Sequence, residues 1–93
     1  MARYDLRFKA SVARDLRPIP KRDVRRILAR IESLRDDPRP PGAEKLSAQE
    51  RYRVRQGNYH ILYTIADVEL IVEVVKIAHG RDVYRDPQPI GSS

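Results

Sequence analysis

Polar and apolar positions alternate at the start of the chain. In RYDLRF, residues 3–8, Tyr4, Leu6 and Phe8 fall on one side and Arg3, Asp5 and Arg7 on the other. That two-residue period predicts a half-buried strand. The period then changes. In ASVARDLR, residues 10–17, Val12, Ala13 and Leu16 form one helical stripe, with Ser11 as the expected N-cap. Pro18-Ile19-Pro20 ends this short helix, because proline lacks the amide donor and clashes with the preceding turn. A longer helix is predicted from residue 21 to about 35, where Val24, Ile27, Leu28, Ile31 and Leu34 recur at spacings of three and four. Its other side carries Arg22, Arg25, Arg26 and Arg30. These arginines read as a solvated face that shields the apolar stripe, with a grip on nucleic acid or an acidic partner as the alternative.

The segment DDPRPPGAEKLSAQE, residues 36–50, is broken by prolines and a glycine in its first half. No regular element is expected over 38–42, and Leu46 is expected to anchor the loop to the core. Three strands follow, over 51–55, 58–65 and 69–77, with turns at Gln56-Gly57 and Ala66-Asp67-Val68. The order is strand, helix, helix, strand, strand, strand. It predicts one α+β domain over residues 1–90: two N-terminal helices packed on one face of a small, mostly antiparallel four-stranded sheet. The other face is left open. Residues 91–93 read as a flexible tail or a cloning remnant.

The chemistry concentrates in RYRVRQGNYHILYTI, residues 51–65. With Gln56-Gly57 as the turn, Arg55 faces Asn58, Val54 faces Tyr59, Arg53 faces His60 and Tyr52 faces Ile61. One side then carries Tyr52, Val54, Tyr59, Ile61, Tyr63 and Ile65 and belongs against the helices. The other carries Arg51, Arg53, Arg55, Asn58, His60, Leu62 and Thr64. Clustered like charges cost stability unless solvent, a carboxylate or a bound anion offsets them. Further along, Lys76, His79, Arg81, Tyr84 and Arg85 lie at or beyond the end of the last strand, where they can close the rim of the same face.

Composition narrows the partners. The 93 residues carry a formal net charge of +6, which favours a polyanion. There is no cysteine, so disulfides and thiolate metal sites are excluded. The two histidines form no metal-ligand run, and neither GxGxxG nor GxxxxGK[ST] occurs. No apolar run approaches a membrane span, and the N-terminus has no signal-peptide core. A cytoplasmic protein with no membrane partner is expected.

Taken together, the opening YDLRF, the ARDL helix, SLRDDPRPPGAEKL, the YRxRxGxYxxxY hairpin and the terminal VVKIAHGRDVYR resemble the RelE/ParE superfamily of bacterial and archaeal toxins. These stretches span nearly the whole chain, and the short helical hairpin is closer to the RelE side. The resemblance implies a toxin of a type II toxin–antitoxin system that enters the ribosomal A site and cuts translated mRNA. The ribose 2′-hydroxyl attacks the adjacent phosphate, giving a 2′,3′-cyclic phosphate and a 5′-hydroxyl. No cofactor is implied. The implied partners are a cognate acidic antitoxin, the ribosome and mRNA, with operator DNA met only indirectly through the antitoxin complex. Two alternatives share the fold: a ParE-like inhibitor of DNA gyrase, and a non-catalytic member acting in an autoregulatory complex.

Residue roles follow only in part. The family's two basic strand residues match Arg53 and Arg55, where arginine suits phosphate clamping better than proton abstraction. His60 stands where the family has an arginine, and an imidazole can move a proton either way. The family's later arginine falls on Gly80 without a gap, or on Arg81 with a one-residue shift. Its tyrosine matches Tyr84, and His79 is a second candidate acid. His60, Arg55, Arg81 and Tyr84 are therefore the expected catalytic set. Arg51, Arg53, Lys76, His79 and Arg85 are expected to bind phosphate or RNA.

Overall fold

A computed structural model describes residues 3–46 and 51–80. Along the chain run β1 (Asp5–Phe8), α1 (Ser11–Leu16), α2 (Lys21–Ser33), β2 (Glu44–Leu46), β3 (Arg51–Gln56), β4 (Tyr59–Ala66) and β5 (Ile71–His79). The strands form one sheet in the order β1-β5-β4-β3-β2. β1 runs parallel to β5, and the other pairs are antiparallel. The expected two helices on a mostly antiparallel sheet are present, but the sheet has five strands rather than four. The extra one, β2, pairs Glu44 with Arg53 and Leu46 with Arg51 at the sheet edge. Three residues are too few to show an alternation, so β2 is defined by its pairing with β3 and not by a pattern of its own.

The core lies between the helices and one sheet face. Val12 of α1, with Ile27, Ile31 and Leu34 of α2 and its C-cap, is buried against Val54, Ile61, Tyr63, Val72, Val74 and Ile77. Leu28, placed in the apolar stripe by its spacing, is 40% exposed. It sits a hundred degrees round the helix from Ile27, on the flank of a helix that meets only one sheet. Ser11 is the first helical residue and not the cap. Ala10 occupies the cap position with helical dihedrals and no side-chain hydrogen bond.

Two local devices shape the last strand. β4 pairs with β5 in a register that shifts between Leu62 and Tyr63, leaving Val75 as the extra residue of a bulge. A bulge reverses which side of the sheet each later residue faces. Val72 and Val74 point into the core before it, and Ile77 does so after it. The second device is Asp15 of α1. β1 ends at Phe8, opposite Val74. Beyond that point the Ile77 amide donates to Asp15 Oδ2 at 3.1 Å, so a helix side chain covers the β5 backbone on the side where β1 has ended, while β4 pairs with the other side.

The irregular segment ahead of β2 is tied down. Arg39 donates to both Asp67 oxygens, at 3.2 and 2.8 Å, and to the Tyr52 hydroxyl at 3.1 Å. The Tyr4 hydroxyl donates to the same carboxylate at 2.8 Å, and the buried Tyr63 hydroxyl donates to the Pro38 carbonyl at 2.7 Å. Arg39, and after it Tyr4, hold the Asp67 carboxyl below its usual range, while burial pushes the Tyr63 phenol up to about 12.

The β4–β5 turn contains Leu70 at φ 58°, the left-handed region, with its side chain exposed. A β-carbon there costs roughly 1–2 kcal/mol. Leu70→Gly is therefore expected to raise stability by about 0.5–1 kcal/mol, after the added freedom of glycine in the unfolded chain is subtracted. A higher urea midpoint at unchanged slope is the check, and a lower midpoint contradicts it.

Candidate active site

The β3–β4 hairpin turns at Gly57-Asn58. Gly57 has φ 60°, and a glycine at the first central position is what a type II′ hairpin turn requires. The observed pairs are Gln56 with Tyr59, Arg55 with His60, Val54 with Ile61 and Arg53 with Leu62. The expected turn at Gln56-Gly57 is thus displaced by one residue and the pairing by two. A shift of two preserves every side-chain face. His60 consequently stands opposite Arg55, not Arg53, still on the side away from the helices.

Gly42, Glu44, Arg53, Arg55 and His60 line a cavity of about 160 Å³ on that side. β2 brings Glu44 opposite Arg53, and the two form an ion pair in which Arg53 holds the Glu44 carboxyl below its usual range. The Arg55 Nε donates to the Gly57 carbonyl at 3.1 Å, which folds the guanidinium back along its own hairpin. His60 is only 7% exposed, and its Nδ1 is buried. Burial lowers its pKa, and the Arg53 and Arg55 charges lower it further against an opposing pull from Glu44. The site thus holds a neutral imidazole among guanidiniums at neutral pH: a proton acceptor beside anion binders.

The other expected residues are placed as follows. Arg51 lies opposite Leu46, half-buried, on the same face as Arg53 and Arg55. Lys76 lies opposite Leu62 and is exposed on that face. His79 is directed to the other side of the sheet, opposite Tyr59, with the two rings edge-on at 5.3 Å. The bulge at Val75 produces this reversal. Arg81, Tyr84 and Arg85 lie outside the described residues. Among the described residues, no three His, Asp or Glu side chains gather into a metal-binding group. Glu44 and Gly42 were not expected in the site. The only signal for them is that GAEKL precedes the basic strand closely enough to fold back beside it.

The family model described as the ParE toxin of type II toxin–antitoxin systems, parDE, matches residues 6–84. The chain belongs to this toxin family. Toxin RelG of Mycobacterium tuberculosis is 27% identical over 84 residues, covering 88% of this chain and 97% of that protein. The toxin–antitoxin complex RelBE2 of the same organism includes a chain that is 26% identical and superposes with a TM-score of 0.77, covering 85% of this chain and 93% of that one. The archaeal RelE–RelB complex of Pyrococcus horikoshii OT3 shares the fold at 24% identity, with a TM-score of 0.74 over 83% of this chain and 94% of that one. These likenesses place the toxin in the RelE/ParE superfamily, with RelE proteins as its neighbours. Among the described residues, no helix is long and apolar enough to cross a membrane.

Proposed function

We propose that this toxin is a ribosome-dependent endoribonuclease that cleaves translated mRNA by metal-independent attack of a 2′-hydroxyl on the adjacent phosphate. The observation that carries the reading is the cavity in which His60 stands opposite Arg55 and beside Arg53, on the sheet face away from α1 and α2. Arg53 and Arg55 clamp the scissile phosphate and offset the charge that builds on it. His60, neutral at working pH, takes the 2′-hydroxyl proton. The freed oxygen bonds to phosphorus, the P–O5′ bond breaks, and a 2′,3′-cyclic phosphate forms. The leaving 5′-oxygen takes a proton from Arg81 or Tyr84, since His79 faces the other side of the sheet. Lys76, Arg51 and Arg85 bind flanking phosphates.

The proposed protein partner is an acidic antitoxin. A groove of about 360 Å³ between α1 and α2 has Ala13, Leu16, Ile19 and Val24 on its apolar side and Arg17, Lys21 and Arg25 at its rim. An amphipathic segment with acidic flanks is complementary to it, and docking there weakens with salt. Operator DNA is reached through that complex. The setting is the cytoplasm, where ribosomes are.

Primer extension on a translated message after a pulse of toxin expression tests the reaction. New 5′ ends within translated codons are expected. Growth arrest with intact messages overturns the reading. Gyrase supercoiling measured with purified toxin then separates a gyrase inhibitor from a non-catalytic member.

A further inference from the structure

Gly80 follows the last residue of β5, and its backbone conformation does not explain why it is glycine. Gly42 and Gly57 hold φ of 93° and 60°, and a β-carbon on either would meet nothing within 4 Å. Gly80 is the reverse case. It lies outside the left-handed region, but a β-carbon on it would stand 3.2 Å from His60 Nε2, 3.4 Å from His60 Cδ2 and 3.3 Å from the Asn58 carbonyl oxygen. Space, not conformational freedom, sets this position.

The surrounding geometry fixes the close approach. The bulge at Val75 turns His79 toward Tyr59 and leaves position 80 on the imidazole side. The Gly80 amide then donates to the Asn58 carbonyl at 2.6 Å, fastening the end of β5 to the β3–β4 turn across the edge of the ring. This bond tethers the two chains, so an added side chain presses on the imidazole, which must give by a few tenths of an ångström, and close-packed interiors transmit such displacements.

We infer that Gly80 is a positioning residue for His60: its missing side chain is the space in which the imidazole stands opposite Arg55, with main chain closed over its Nε2 edge. This deepens the proposed ribonuclease reading and rests on it for its catalytic meaning. The charged and titratable groups that act on the ring are Arg53 and Arg55 from β3, Glu44 from β2 and His79 from β5. Displacing the ring changes its distance from each of them and its access to water.

The test is Gly80→Ala, read first by NMR titration of the His60 imidazole in the full chain. The midpoint is expected to move by about half a pH unit or more, since burial and near charges set it. The acid limb of single-turnover cleavage moves with it, while RNA affinity holds. A folded Gly80→Ala protein in which His60 titrates as before overturns the inference. If Gly80→Ala does not fold, Gly80→Ala/His60→Ser decides. Restored folding supports the contact with the ring, and continued failure to fold overturns it. The titration needs no activity. A shifted midpoint in a protein that cleaves no RNA keeps Gly80 as the positioning residue and removes only the ribonuclease reading.

Discussion

His60→Ala is expected to slow mRNA cleavage on the ribosome by about 10²–10⁴-fold, the usual contribution of a positioned acid or base. Ribosome binding should change little. The separation follows from the site: Arg53 and Arg55 carry the charge, while His60 is nearly buried between them and the end of β5. Single-turnover cleavage and ribosome co-sedimentation measure the two quantities, and equal losses in both reduce His60 to a contact. The pH dependence has a definite sign. Burial and the two arginines depress the imidazole pKa, so the basic form survives below the ordinary value of about 6.5. The acid limb of the rate should fall below that value. Stability follows the same direction. The unfolded chain binds the proton at higher pH than the folded one does, so the His60 contribution is full above about 6.5 and is lost as pH falls toward the depressed folded value.

The second large effect is on stability. Ile31→Ala is expected to cost about 2–5 kcal/mol, because the side chain is fully buried between α2 and the sheet. A domain of this size has only about 5–15 kcal/mol in total. Leu28→Ala, one residue after Ile27 but 40% exposed, should cost less than about 1 kcal/mol. Urea unfolding of both variants checks the pair. Comparable losses contradict the assignment of the buried face.

Some of this architecture is legible in the chain because it rests on period. The alternation through residues 51–65 sorts Arg51, Arg53, Arg55 and His60 from Tyr52, Val54, Ile61 and Tyr63, and that sorting survives a wrong register. The turn position did not follow from Gln56-Gly57, because a glycine takes positive φ at either central position and only the strand pairing decides between them. The reversal of His79 was hidden for a related reason: a bulge inserts one residue without changing the composition around it. β2 is too short to carry a pattern. Long-range polar contacts, such as Asp15 on the Ile77 amide or Arg39 on Asp67, leave no local trace at all. Glu44 entered the site through one of these non-periodic elements. Gly80 looked like a loss when set beside an expected arginine, and only the distance to His60 gives it a part.

The sheet order has a consequence for synthesis. Among the described residues β1 has β5 as its sole strand neighbour, and β5 lies between β1 and β4. The first strand made must therefore wait for the last. At about 5–20 residues per second, several seconds of translation separate Asp5 from Ile71, and closing so long a loop is slow in itself. Until β5 emerges, α1 has no Ile77 amide to cap, and His60 has no Gly80 main chain against it. Until Ile71–His79 has been made, a nascent chain of this topology holds neither a strand partner for β1 nor the closed edge of the His60 site.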